Sequence, residues 1–179
     1  MQSFPHIGEF TGKATVKFGD DINTDYIIPA YLLQEAWEKP FFAEHAFESY
    51  DPSFVRTCAN SLDNIVLAGK NFGCGSSREQ AVYAIQYNNV KAVIAESFPD
   101  IFYRNSINNG FPALTVKSTK DLAVGDSLHV NLQDLTIQNH GKDLKLEISM
   151  PKEDRETLIS GARLGLVKER LRRRLFATV

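Results

Sequence analysis

Between Asn64 and Val116 the apolar pattern switches back and forth between short continuous runs and a period of three to four residues. NIVLAG (64–69) reads as a short buried strand, SSREQAVYAIQYNN (76–89) as a helix and KAVIAES (91–97) as a strand. FPDIFYRNSINNG (98–110) then reads as a helix ended by Gly110, and ALTV (113–116) as a further strand. Strand, helix, strand, helix, strand predicts βαβ crossovers, and parallel strands must be joined that way because a tight hairpin turn cannot connect them.

The flanks differ in character. KATVKF (13–18) reads as a strand and GDDINTD (19–25) as a polar turn. In YIIPAYLL, Pro29 has no N–H and a fixed φ, which predicts an irregular connection rather than a strand or helix interior. KPFFAEHAF and DPSFVRTCANSL read as short helices, the second with Asp51 as N-cap and Pro52 at the first helical position. After Val116, SLHVNL, LTIQNH and DLKLEIS are short strands separated by turns such as Asn139-His140-Gly141, an antiparallel section. Toward the end Leu164, Val167, Leu171 and Leu175 recur at helical spacing among basic residues. The basic segment KERLRRR suits the negative end of a helix and a solvated or subunit-contact face better than a nucleic-acid arm. The expected class is therefore α/β: one domain over residues 1–179, a mixed β core flanked by helices, and a C-terminal helical region.

Such a chain of 179 residues is long enough to bury a core without disulfide or metal staples. No apolar run approaches the roughly 18 residues that would argue for a bilayer span, and MQSFPHIGEF lacks the cationic start and apolar stretch of a secretory signal. Twenty basic residues against twenty-two acidic give a net charge of −2, so no global field draws in nucleic acid or anionic membrane. Cys58 and Cys74 form no disulfide framework, and a reducing cytoplasm is the expected compartment.

Chemistry concentrates in NFGCGSSREQ (71–80). Gly73 and Gly75 follow a strand and precede a helix, where left-handed backbone and close approach of a ligand are both available. Free N–H groups at the helix start, together with the planar fork of Arg78, suit a carboxylate or phosphate. Ser76 and Glu79 also fit the S-x-x-E capping box, a purely structural use of the same residues. The lysine and spacing of a Walker loop are missing, and Arg78 stands where a dinucleotide fingerprint needs its third glycine. Cys74 is a candidate thiol of lowered pKa beside that helix start. Two cysteines sixteen positions apart do not make a zinc or iron–sulfur site in this chain.

A second polar cluster, DDINTDYIIPAYLL, begins like a calcium loop at Asp21, Asn23 and Asp25. Tyr26 then stands in the glycine position and Leu32 in that of the bidentate glutamate, which rejects calcium and leaves a side-chain-stabilised turn.

Taken in order, DINTDYIIPAYL, AGKNFGCGSSREQA and AVIAESFPDIFYRNSINNGFP resemble the three signatures of the small subunit of 3-isopropylmalate dehydratase (isopropylmalate isomerase), the swivelling domain of the aconitase superfamily. The resemblance is continuous from about Lys13 to Val116; beyond that it is one of length and pattern. It implies a hydro-lyase subunit that moves a hydroxyl between adjacent carbons of a 2-hydroxy dicarboxylic acid and works only in a hetero-oligomer with a large subunit. The large subunit would carry the [4Fe–4S] cluster, with no cofactor bound by this chain. By motif position Ser76 would be the base, Arg78 and the amides around Ser77 would hold substrate carboxylate, and Asp25 would belong to the polar shell near the cluster.

Substrate choice in such subunits resembles a readout of the loop after IIP, YLRT in homoaconitase-like members and YLVY in isopropylmalate members. Here it is Tyr31-Leu32-Leu33-Gln34. Leu33 cannot pair with a distal carboxylate and favours a branched alkyl group, which implies 2- and 3-isopropylmalate and leucine biosynthesis. Gln34 matches neither pattern and leaves homoaconitase-type and dimethylmalate dehydratase subunits open. A module that binds dicarboxylates without chemistry is the rival from another class.

Overall fold

The computed structural model describes residues 8–34 and 38–162. Among these, seven strands close into a barrel: β1 (Glu9–Lys17), β2 (Asn64–Leu67), β3 (Val90–Ala95), β4 (Ala113–Val116), β5 (Ser127–Asn131), β6 (Thr136–Asn139) and β7 (Leu144–Ser149), in spatial order β1-β2-β3-β4-β7-β6-β5. β1 to β4 pair in parallel, and every other pairing is antiparallel. The expected mixed β core is thus present, and closure leaves neither half with an open edge.

Two apolar clusters follow from the period of two along the strands. Ile65, Leu67, Ala92, Ile94, Leu114, Leu128, Val130, Ile137 and Ile148 fill the inside of the barrel. Val66, Ala68, Val93 and Ala95 point the other way, into a layer of helices. This double burial is why NIVLAG and KAVIAES read as continuous apolar runs. The helices are α1 (Thr24–Ile27), α2 (Lys39–Glu44), α3 (Phe54–Ala59), α4 (Glu79–Gln86) and α5 (Asp100–Asn108), with α6 (Lys152–Ile159) after the last strand. Phe18, Phe47, Phe54, Phe72 and Phe102 knit the outer layer, with ring centroids 4.5 Å apart for Phe47 and Phe54 and 5.6 Å for Phe72 and Phe102.

β1 serves both clusters by means of a bulge. Ala14 lies opposite Ile65 and Val16 opposite Val66, so Thr15 is an extra residue; it lets Ala14 face the barrel and Val16 the helices. The Thr15 hydroxyl donates to Asn64 Oδ1 at 2.7 Å. Asn64, fully buried, in turn donates to the carbonyls of Cys58 (2.8 Å), Ser61 (2.9 Å) and Asn89 (3.2 Å).

Some local expectations are corrected. α4 begins at Glu79, with Arg78 in the N-cap position in extended conformation (φ −108°, ψ 113°), so Ser76 and Glu79 form no capping box. The Glu79 carboxylate instead accepts from Asn109 Nδ2 at 2.6 Å. α3 is preceded by Ser53 rather than capped by Asp51, whose carboxylate accepts from the Ser53 amide and hydroxyl one turn earlier. Pro29 does separate two short pieces, α1 and a 3₁₀ turn over Ala30–Gln34. The helix expected through Leu164, Val167, Leu171 and Leu175 lies outside the described residues.

Replacing Asn64 by leucine, similar in size, would remove a donor from three carbonyls and an acceptor from the Thr15 hydroxyl; the Cys58 and Asn89 carbonyls keep backbone donors and Thr15 keeps the Lys13 carbonyl, which leaves the Ser61 carbonyl as the group that loses its donor. With each unsatisfied buried group costing roughly 1–3 kcal/mol, Asn64→Leu should lower the urea midpoint sharply, by more than Thr15→Ala does. Equal midpoints for the wild type and Asn64→Leu would show that the network contributes nothing to stability.

Candidate functional site

β1 and β2 are parallel neighbours, and their backbone pairing continues past both strand ends. Phe18 N donates to Leu67 O (2.8 Å), Gly69 N to Gly19 O (3.1 Å), Asp21 N to Lys70 O (2.9 Å), Gly73 N to Ile22 O (2.7 Å) and Thr24 N to Cys74 O (2.7 Å). The two polar clusters are therefore zipped together along their length. Side chains reinforce the seam: Asp20 Oδ1 accepts from the Lys70 amide and Asp21 Oδ1 from Asn71 Nδ2, both at 2.7 Å. The end of β3 supports the other flank, where Ser97 accepts from the amides of Asn71 and Phe72.

Left-handed backbone at Asn71, Gly73 and Gly75 (φ 61°, 83° and 97°) folds this seam into a tight shelf. At Gly75 a Cβ would stand 2.5 Å from Asn23 Oδ1, the atom that accepts from the Asp25 amide at 2.9 Å and caps α1. A side chain at position 75 would therefore dislodge the cap that orients Asp25.

On the shelf Asp25, Ser76 and Arg78 converge. Arg78 is largely buried, at 12% side-chain exposure against 50% for Asp25. Its Nη1 donates to Asp25 Oδ1 at 2.5 Å and to the Ile28 carbonyl at 3.2 Å. Its Nη2 reaches Ser76 Oγ at 3.4 Å. Thr24, buried, donates its hydroxyl to the Ser76 carbonyl at 3.2 Å and holds that residue from beneath. Ser76 and Ser77 are exposed, and the amides of Gly75, Ser76 and Ser77 donate to no group among the described residues. One prong of the guanidinium is thus tied to the protein. The other stands beside the Ser76 hydroxyl, and the three successive amides of that segment have no acceptor among the described residues, groups suited to an anion.

The helix start contributes less than expected, because Ser76 precedes the first residue of α4 by three positions. Arg78, itself extended, turns its guanidinium to Asp25 and the Ile28 carbonyl over α1. Cys74 also departs from expectation. Its pKa is raised, first by burial and then by the nearby Asp21 carboxylate, so it is no activated thiol. Burial likewise pushes Cys58 up to about 12. Among the described residues no three His, Cys, Asp or Glu side chains are placed to hold a metal ion.

The residues of the 3₁₀ turn separate. Leu32 is in the core at 3% exposure, Leu33 packs partly against it, Gln34 is exposed, and Tyr31 is exposed with its hydroxyl on Glu48 Oε1 at 2.5 Å. Leu32 therefore anchors the turn and does not face a ligand. Asn23 stabilises the turn through its own backbone, as an Asn-Thr pair among aspartates implies, whereas the sequence did not show that Thr24 reaches across to the Ser76 carbonyl. Sequence reasoning had no means of finding the Ile28 carbonyl. That group is left over because Pro29 forces its predecessor into extended backbone (φ −148°, ψ 115°) and ends α1.

The fold is thus a barrel with one parallel half that carries at its strand ends a serine, an arginine and amides that no group among the described residues takes up. Residues 45–119 match the Aconitase C-terminal domain. A 3-isopropylmalate dehydratase small subunit of Sulfolobus acidocaldarius is 41% identical over 155 residues, which span 86% of this chain and 94% of that one. A methanogen homoaconitase small subunit of Methanocaldococcus jannaschii is 41% identical over 157 residues, 86% and 89% of the two chains. A solved structure from the same organism, titled 3-isopropylmalate dehydratase, superposes with a TM-score of 0.80 at 39% identity, covering 90% of this chain and 95% of that one. The chain belongs to the 3-isopropylmalate dehydratase small-subunit family of the aconitase superfamily.

The raised pKa of Cys74 has a direct consequence. At a pH near the ordinary thiol value of about 8.5 a smaller fraction is thiolate than in a free thiol, so iodoacetamide should label Cys74 more slowly than glutathione, with the gap narrowing as pH rises. Labelling faster than glutathione at neutral pH would contradict this environment.

Proposed function

We propose that this chain is the small subunit of a two-subunit hydro-lyase that interconverts 2-isopropylmalate and 3-isopropylmalate, a step of leucine biosynthesis in the cytoplasm, and that residues 1–179 act in it as one swivelling domain. The observation that carries the reading is the convergence of Ser76 Oγ and Arg78 Nη2, with the other prong of the fork held by Asp25 and Ile28. Family membership supplies the reaction class; the constellation supplies groups that could perform it.

In this reading Arg78 Nη2 and the amides of Gly75 to Ser77 grip a substrate carboxylate. That contact places the neighbouring carbon next to Ser76. Ser76 Oγ, as the alkoxide, takes the carbon-bound proton as the C–H bond breaks; the freed electron pair forms the double bond while hydroxide leaves from the adjacent carbon and takes up a proton from solvent, so the products are an alkene and water. Adding water back with the opposite placement gives the isomer. A neutral hydroxyl is a weak base, so Ser76 must act as the alkoxide, and a guanidinium together with free amides favours that charged form best where a covering partner excludes water. Asp25 keeps Arg78 aimed. The [4Fe–4S] cluster expected on the large subunit would supply Lewis acidity at the departing hydroxyl. The residues here suit that role as facing groups rather than ligands, being hydroxyl, guanidinium and a single carboxylate. The exposure of Ser76 and Ser77 agrees with a half-site that a large subunit completes.

Selectivity is assigned to the turn Tyr31 to Gln34, and within it to Leu33 and Gln34, since Leu32 is core. An apolar Leu33 favours an alkyl side group over the distal carboxylate of a homoaconitate-type substrate. The homoaconitase relative keeps that second substrate class in view.

Ser76→Ala in the enzyme reconstituted with its large subunit should cut turnover by about 10²–10⁴-fold, the usual contribution of a general base. Thermal stability should barely move, because Ser76 caps no helix. A near-normal rate in the assembled variant would remove Ser76 from the chemistry. Leu33→Arg should shift the ratio of kcat/KM from isopropylmalate toward homoaconitate by about tenfold or more, equivalent to about 1.4 kcal/mol. An unchanged ratio would show that the turn does not read the side group.

A further inference from the structure

The 3₁₀ turn that carries Leu33 rests on a polar device outside the Ser76–Arg78 shelf. Both oxygens of Glu48 are engaged: Oε1 accepts from the Tyr31 hydroxyl at 2.5 Å, and Oε2 meets His45 Nδ1 at 2.7 Å. The His45 ring is itself held against Phe41, with centroids 4.6 Å apart.

Glu48 is not a mobile surface carboxylate. Its neighbour Phe47 is fully buried, and the Phe47 amide donates to the Ile27 carbonyl at 2.9 Å, which ties the 45–51 turn to the end of α1. The Phe47 carbonyl then accepts from Tyr50 (2.9 Å) and Asp51 (2.8 Å). The Tyr31 hydroxyl foremost, with His45 adding to it against the opposing effect of burial, holds the Glu48 carboxyl below the usual carboxylate range. A charged, doubly bonded acceptor therefore sits on a fixed platform opposite Tyr31.

Leu32 in the core and Tyr31 on Glu48 are two anchors on adjacent residues of one turn. One anchor would leave the turn free to roll; two on different faces fix its rotation, and with it the direction of Leu33 and Gln34.

We propose that Glu48, oriented by His45, is a positioning residue for substrate selection: it pins Tyr31 and thereby sets how the Tyr31–Gln34 turn presents Leu33 and Gln34 to the substrate's side group. The proposal rests on the reading above that this turn selects the substrate. A salt bridge that only decorates the surface would not require its acceptor to be fixed by a buried phenylalanine, nor its second oxygen to be taken up by a packed histidine.

The test compares Glu48→Ala with Glu48→Gln, which keeps an oxygen acceptor for the Tyr31 hydroxyl. In the full chain, hydrogen exchange of the amides over residues 30–34 should speed up about tenfold in Glu48→Ala and much less in Glu48→Gln. In the enzyme reconstituted with its large subunit, Glu48→Ala should raise KM for isopropylmalate about fivefold, with kcat falling by a smaller factor. It should narrow the preference over homoaconitate, and Glu48→Gln should restore most of both. Unchanged exchange in Glu48→Ala overturns the clamp. Faster exchange with unchanged KM and preference, in an enzyme whose preference does respond to Leu33→Arg, overturns the positioning role alone. No response of preference to either Leu33→Arg or Glu48→Ala overturns the reading of the turn together with the proposal.

Discussion

The parallel pairing of β1 with β2, carried on beyond the strands as loop-to-loop hydrogen bonds, is the constraint on which the rest of the site depends. Isolated polar loops seldom hold a geometry, because each ordered residue loses backbone entropy on the order of 1–2 kcal/mol. Here the loss is offset residue by residue from Phe18 to Thr24 on one side and from Leu67 to Cys74 on the other. Asp25 and Arg78, far apart in sequence, meet because the ladder brings them level. Asn71, Gly73 and Gly75 supply the left-handed turns the ladder needs in order to end as a shelf.

Charge is distributed sparingly on that shelf. Arg78 is the cation, and half of its fork is consumed by Asp25 and a leftover carbonyl. A fully free guanidinium would hold an anion in several orientations; one with Nη1 immobilised has fewer, and its Nη2 stands beside Ser76. Geometry of that kind contributes to rate by orientation as much as by charge. The shelf is open to solvent at Ser76 and Ser77.

Much of the fold was legible in the sequence. The βαβαβ core appeared as alternating pattern types, because strands buried on both faces cannot also carry the period of a helix. The antiparallel strands after Val116 appeared as short runs punctuated by turn residues. Closure into a barrel was not visible, since the β4–β7 and β1–β5 pairings join segments with no sequence signal for each other. Errors clustered at element ends. The Ser76–Glu79 pattern satisfies the capping rule, yet Arg78 is drawn toward Asp25 and the helix starts three residues later; a tertiary ion pair overrode a local preference.

For the site, the sequence by itself determined which residue types were on hand and which chemistries they could not perform. Asn-Thr-Asp and Gly-Ser-Ser-Arg are readable as turn, flexible backbone, hydroxyl and fork because those properties are intrinsic to each residue. Only the tertiary structure decided how they combine: that Asp25 holds Arg78, that the Ile28 carbonyl joins it, that Leu32 belongs to the core while Leu33 and Gln34 do not, and that Cys74 is quietened rather than activated. Each of these depends on distance and burial between segments some fifty residues apart, and electrostatic and desolvation energies are set by those separations, not by position along the chain.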